Sequence, residues 1–356
     1  LLLSYSEELP YLTEDEKLKI IYTIDKIKVL DPACGSGAFP MGILHKLVYL
    51  LQKLDPDNKH WYELQYQKAL KASEEVFKER DKSEREEMLK EINEAFDESM
   101  NYPDYARKLY LIENCIYGVD IQPIAIQISK LRFFISLVLD QKVDKTKENF
   151  GIRALPNLET KFVAANTLIG LEIPNHIFYT DEIRNLEEEI RKLRHRYFTA
   201  KTRTEKLRLQ RKDSKLREEL KEKLKSLGFS NESSEKIATF NIFDQNTSTD
   251  WFDPEWMFGV VDGFDIVIGN PPYGNIMGKD INKNTQNFVK KNYQYSTTSD
   301  ISSSFVEKGV NLLKEHGNLI FIITYAITFN KDFSKSRELL ANNFERILIY
   351  TFDRDR

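Results

Sequence analysis

Six short runs of consecutive apolar residues punctuate the chain, at Ile27–Leu30, Ile116–Val119, Phe162–Ala165, Phe264–Gly269, Asn318–Ile323 and Ile347–Thr351. Each has the length of a strand, and its apolarity is continuous rather than alternating. Strands buried on both faces require that pattern. The runs lead into segments with helical spacing, such as Phe39–Leu50 after the first and Ala125–Leu137 after the second. Repeated strand-then-helix order predicts an α/β architecture around a mostly parallel sheet.

The intervals between the predicted strands are uneven. Some 85 residues separate the first two, where a single crossover helix needs about a dozen or more. The excess, 51–111, is rich in Glu, Lys and Ala and predicts a helical insertion; Tyr62–Met100 holds 12 acidic and 7 basic residues, as a solvated helical face would. A second insertion, 176–240, lies between the third and fourth strands. Leu186, Ile190, Leu193 and Tyr197 recur at three- and four-residue steps, as do Leu216, Leu220 and Leu224 on a later stretch, with Leu207 nine residues before them. That spacing predicts a long helix or a helical hairpin. Arg191–Leu216 carries 11 basic residues against 2 acidic ones, so Arg191, Arg194 and Arg208 are candidates for phosphate contact, with a solvated face as the plain alternative. Asp244–Asp250 reads as a loop, and Met277–Ser299 as a polar, mobile stretch.

Composition narrows the field. Of 356 residues 41% are hydrophobic and 30% charged, enough to bury a core. The net charge of −4 excludes a chain held to nucleic acid by bulk charge alone. Two cysteines, Cys34 and Cys115, exclude a disulfide framework and suit a reducing cytoplasm. The longest apolar run, around Leu319–Thr328, is too short to span a bilayer. The five histidines show no metal-ligand spacing, so no metal is expected. A chain that opens on Leu1 and ends just after a strand-like run reads as a fragment of something larger.

Three motifs carry candidate chemistry. Val29–Phe39 ends a strand on Asp31 and turns through Gly35 and Gly37 into a helix, so the backbone can approach a ligand closely. Any tight strand–helix turn can use such glycines. No G-x-x-x-x-G-K-[ST] is present, so a phosphate-cradling loop is not supported. Asp120 ends the next strand in Tyr117-Gly118-Val119-Asp120-Ile121; it can accept both hydroxyls of a ribose or simply cap the following helix. Asn270-Pro271-Pro272-Tyr273 follows the fourth strand and presents an amide, a rigidly held carbonyl and an aromatic face together.

Asp-Pro-Ala-Cys-Gly-Ser-Gly-Ala-Phe at 31–39, followed by Asn-Pro-Pro-Tyr at 270–273, resembles the gamma group of adenine-N6 DNA methyltransferases. More narrowly, the chain resembles the methyltransferase region of type IIG restriction–modification enzymes. The resemblance implies a Rossmann-like methyltransferase fold with a mostly parallel, seven-stranded-type sheet, and a catalytic domain filling 1–356. It implies S-adenosylmethionine as cofactor, double-stranded DNA as substrate and a target-recognition region on the same polypeptide, and leaves open whether a nuclease region accompanies them.

By the same resemblance Gly35 and Gly37 flank the methionine part of the cofactor, with Pro32, Ala33 and Phe39 in the same turn, and Asp31 sits beside its ammonium or ribose. Asp120 and the adjacent Ile121 meet the ribose. Asn166 and Thr167 lie near the cofactor's adenine, where an Asp is usual and Asn brings no full charge. Asp300–Phe305 resembles the next motif, with a changed opening, and Phe305 supports the pocket floor. Asn270, Pro271, Pro272 and Tyr273 are the catalytic set: two acceptors for the target amine and a face for a flipped base. Cys34 is read as small and buried rather than nucleophilic. Four expected features find no match: the family's amino-terminal cofactor motif, its carboxy-terminal aromatic contact, the target-recognition domain and a nuclease cluster. Two other functions stay open, methylation of protein glutamine or RNA guanine and a non-catalytic DNA-binding scaffold.

Overall fold

A computed structural model of the chain describes Ser4 and residues 10–76, 82–98, 101–171, 180–200, 202–228, 230–244, 246–278, 281–296 and 299–351. The start of the basic insertion (176–179), Lys201 in its basic run, and parts of the acidic run and predicted loops lie outside these residues. In chain order the first elements are α1 (Glu14–Lys26), β1 (Val29–Asp31), α2 (Ala38–Leu54), α3 (Lys59–Val76), α4 (Lys82–Phe96) and α5 (Asp104–Asn114). Next come β2 (Ile116–Asp120), α6 (Pro123–Val138), β3 (Phe162–Ala164), α7 (Asp181–Thr199), α8 (Arg203–Ser226) and α9 (Asn231–Thr239). The last are α10 (Pro254–Phe258), β4 (Phe264–Gly269), α11 (Lys283–Asn292), α12 (Ile301–Leu312), β5 (Leu313–Phe321) and α13 (Ser334–Asn343).

The strands form one sheet in the order β3-β2-β1-β4-β5. The ladders β1–β4, β2–β3 and β4–β5 are parallel, with Leu30 opposite Val267 and Val119 opposite Val163. This is the parallel α/β sheet that the apolar runs predict, and it agrees with the Rossmann-like fold that the resemblance implies. Burial explains the inner runs: Val29, Leu30, Val119, Phe162 and Val267 are all closed to solvent, so neither face tolerates polar residues, whereas β5 leaves Asn318 and Ile320 exposed. From β1 the chain builds outward one way through β2 and β3, and the other way through β4 and β5. The order therefore reverses between β1 and β4, and the crevice outside their carboxyl ends is the place where such sheets hold ligands.

Two of the predicted elements need correction. Ile347–Thr351 joins no strand; its residues Ile347–Tyr350 are exposed, because an apolar run specifies a strand only where a partner edge meets it. The sheet of the described residues has five strands. The stretch read as a polar loop after Met277 contains α11, capped by the Asn282 side chain, which accepts from the Asn284 N–H.

The chain divides into two compact units. One comprises Leu1–Lys28, Pro40–Ile116 and Lys130–Pro156; in it α1, α3, α4 and α5 are packed as helices, and Asp25 is buried with Lys68 at 3.0 Å. The other comprises Val29–Phe39, Tyr117–Ser129 and Asn157–Arg356, and it holds the sheet core and all three motifs.

In this second unit α7 and α8 form the predicted hairpin, with α9 packed on α8. Its stripe differs in one place from the spacing: Leu207 is exposed, and Leu209, Asp213, Leu216, Leu220 and Leu224 turn inward. Asp213 is fully buried there between Arg194 (3.0 Å) and Arg217 (2.7 Å). Arg194 also donates to the Trp256 carbonyl at 2.5 Å, and Arg217 to that of Ala238. Arg194 is therefore a structural residue and no candidate for phosphate contact. Among the described residues no helix is long and apolar enough to cross a membrane.

Candidate active site at the carboxyl edge of the sheet

Because neighbouring strands are parallel, their carboxyl ends lie along one edge, and the three sequence motifs all leave the sheet there. β1 ends on Asp31, β2 on Asp120, and β4 on Gly269, directly before Asn270. The first motif and the tetrad thus flank the switch point as neighbours.

The glycine turn is built by close approach. Gly35 and Gly37 hold φ of 52° and 80°, in the left-handed region that side chains avoid. A Cβ on Gly37 would stand 2.9 Å from the Ser129 hydroxyl oxygen, and that hydroxyl in turn donates to the Gly35 carbonyl at 2.9 Å. The Gly35 N–H donates to Asp120 Oδ2 at 3.0 Å, while Oδ1 accepts from the Gln122 N–H at 2.8 Å. Asp120 therefore fixes the glycine turn and its own following turn at once. Each carboxylate oxygen keeps a lone pair for a further donor.

Asp31 is buried at 2% exposure and accepts from the Ala33 N–H at 3.0 Å. Its carboxylate lies against the end of β4: a Cβ on Gly269 would come within 2.6 Å of Asp31 Oδ1. Burial pushes its pKa up to about 7, with the Asp120 charge adding to the rise against the Ala33 hydrogen bond. Asp31 and Gly269 join the first motif to the tetrad. Pro32 is buried, Ala33 and Phe39 are partly so, and Ile121 is exposed.

The third strand's residues serve the fold. Thr167 donates from its hydroxyl to the Pro32 carbonyl at 2.6 Å. The Asn166 amide donates to the Thr285 hydroxyl at 2.7 Å, and its oxygen accepts from the Leu168 N–H at 3.2 Å. Asn166 is buried, and one lone pair of its oxygen remains uncommitted. Asp300 caps α12 by accepting from the Ser302 N–H, and Phe305 is buried among Leu168, Ile276, Val289 and Ile301. Cys34 is buried, and burial raises its thiol pKa well above the ordinary value.

The tetrad itself is partly open. Pro271 is buried, whereas Asn270, Pro272 and Tyr273 are exposed, Tyr273 by 51%. The Tyr273 hydroxyl reaches Asn270 Oδ1 at 2.5 Å and the Ile322 carbonyl, just past β5, at 2.9 Å. Ile322 donates from its N–H to the Gly269 carbonyl at 3.0 Å. The following loop is tied down as well, with Ile276 donating to the Ser299 carbonyl and Ile301 to that of Gly274. Sequence reasoning missed Ser129, Thr285, Gly269 and Ile322. Ser129 and Thr285 lie far along the chain from the residues they meet, with no local signal of that role; Gly269, adjoining the tetrad, was a readable hint of close packing. Among the described residues no group of His, Cys, Asp and Glu could hold a metal ion.

The glycine turn and the Asn-Pro-Pro-Tyr loop thus leave adjacent parallel strands at the switch point of an α/β sheet. The chain belongs to the Eco57I restriction-modification methylase family, which it matches over residues 114–356. It is also similar to the Methanocaldococcus jannaschii protein named "Putative type II restriction enzyme and methyltransferase RM.MjaORFECS2P". The two are 26% identical over 382 aligned positions, 92% of this chain and 28% of that protein. Similarity to the type II methyltransferase M.TthHB8I of Thermus thermophilus is 32% identity over 104 residues, covering 25% of this chain and 24% of that protein. The chain thus spans about a quarter of the length of the curated relatives it matches.

Proposed function

We propose that this chain methylates the N6 amino group of an adenine turned out of duplex DNA, using S-adenosylmethionine, as the modification part of a restriction–modification protein. The observation that carries this reading is the placement of the glycine turn and the tetrad on adjacent strands at one sheet edge.

The residues present fit the cofactor. Beside Gly35 the space is open, since an added Cβ would meet nothing within 4 Å. Gly35, Gly37 and Asp31 would hold the methionine end, Asp120 and Ile121 the ribose, and Asn166 and Thr167 the adenine side. When bound, S-adenosylmethionine supplies a methyl group activated on a sulfonium.

The tetrad acts on the substrate amine. The N6 lone pair of adenine is delocalised into the ring, so the amine is a poor nucleophile. Two acceptors, Asn270 Oδ1 and the Pro271 carbonyl, would each take one N–H and favour a tetrahedral nitrogen. They also stabilise the positive charge that develops as nitrogen forms its new bond. Neither a covalent enzyme intermediate nor a strong base is needed, since the methylated nitrogen is cationic and acidic and releases its extra proton to solvent. The Tyr273 ring would stack on the displaced base. The relatives named for restriction and methyl transfer support the modification context, with recognition and nuclease regions elsewhere in the intact protein.

The test offers radiolabelled cofactor to duplex DNA, protein and RNA, then identifies the labelled nucleoside. N6-methyladenine from DNA is expected. Label in protein glutamine or RNA guanine would transfer the site to another substrate class. Absence of cofactor binding by calorimetry would leave a scaffold.

A further inference from the structure

We propose that the Tyr273 hydroxyl is a positioning group for Asn270, a latch that sets the amide oxygen toward the substrate amine before that amine arrives. The inference rests on the adenine-methylation reading above and concerns how its acceptor is preset.

The hydroxyl has two acceptors, Asn270 Oδ1 at 2.5 Å and the Ile322 carbonyl at 2.9 Å, and one proton to give. Only one bond can be strong at a time, so the group is a donor with two positions. Both positions are fixed by the fold. Ile322 is anchored by its N–H on Gly269, and the chain after Tyr273 is held at Gly274 and Ile276 by the start of α12.

Asn270 is exposed, and among the described residues its own amide N–H groups meet no hydrogen-bond acceptor. An amide's last torsion is broadly two-fold, so without a donor beside it the NH₂ can face the site instead. That orientation is wrong for the chemistry: the amine's hydrogens would meet donors rather than an acceptor. A neighbouring O–H whose proton is aimed at the amide selects the orientation, because the amide oxygen can accept that proton and the NH₂ cannot. Orientation is then paid before the reaction rather than during it. When the amine docks, Oδ1 offers it the second lone pair while the first keeps the hydroxyl's proton, so the preset orientation survives docking.

The experiment compares Tyr273→Phe with the parent in the intact protein, by single-turnover methylation at saturating DNA. Base flipping is followed separately with 2-aminopurine at the target position. The ring survives in this variant, so flipping and DNA affinity should match the parent while the methylation rate falls roughly three- to tenfold, the scale of one neutral hydrogen bond. A second arm repeats the change in Asn270→Asp, whose two carboxylate oxygens leave no orientation to select; there the hydroxyl should make no difference. A parental rate in Tyr273→Phe overturns the latch, as does an equal penalty on the aspartate background or a loss confined to flipping. Any of these leaves the acceptor role intact provided that Asn270→Ala remains inactive. If Asn270→Ala is fully active, the underlying reading fails instead.

Discussion

At the scale of single residues, the two acidic residues ending β1 and β2 do different work. Asp120 is partly open and keeps lone pairs free, so Asp120→Ala should weaken S-adenosylmethionine binding by about 1.5–3 kcal/mol, as for hydrogen bonds to a charged group. Asn270→Ala should bind it nearly as the parent does. Calorimetric titration of the two variants checks the contrast, and equal parental affinity in both would remove Asp120 from the ribose. Asp31 is closed in, and its pKa near 7 has a defined sign for stability. An unfolded aspartate releases its proton near pH 3.9, while the folded one keeps it until about 7. Between those values the native state holds the extra proton, so this group's contribution falls as pH rises through the window. Asp31→Asn should therefore gain stability relative to the parent between pH 5 and 8, read as the difference in urea midpoints. A constant difference across that range contradicts the buried-acid account. Asp31, Gly35, Gly37 and the tetrad were legible because each sits beside its motif partners in sequence. Ser129 and the Ile322 carbonyl were not, since only the folded sheet brings them to the turn and the tetrad.

Among the elements, the hairpin of α7 and α8 shows what a charge count conceals. Asp213 falls on the apolar stripe of α8, and its burial draws Arg194 and Arg217 inward. Removing the acid strands two buried guanidiniums, so Asp213→Ala should cost about 3–5 kcal/mol in urea unfolding. A loss below 1 kcal/mol would mean the pair is not closed to water. Lys192 and Lys212 are paired with Glu188 and Glu189 on the hairpin. Arg208, Arg211 and Lys215 instead lie exposed on one face of α8, at three- and four-residue steps. If that face meets DNA backbone, neutralising the three should weaken cognate and unrelated duplexes alike. The salt dependence should flatten by about one unit per lost phosphate contact; an unchanged slope assigns the face to solvent. The hairpin was readable from periodicity. Its true stripe was not, because Leu207 and Leu209 satisfy nearly the same spacing and only packing chooses between them.

For the whole molecule, alternation of buried runs and helices was enough to foresee the parallel sheet, whose order then places β1 beside β4. That adjacency could not be read from sequence, where Asp31 and Asn270 stand far apart. The run at Ile347–Thr351 shows the limit of the same logic, since apolarity marks a segment for burial without naming its partner. The central claim is that the switch point holds an adenine amine against Asn270 and Pro271. Its most direct test is single-turnover methylation of duplex DNA by the intact protein carrying Asn270→Ala, with the modified nucleoside identified. The rate at adenine N6 should fall by roughly 10²–10³ or more, the scale for one preorganised electrostatic partner. Methylation of adenine at the parental rate would contradict the account.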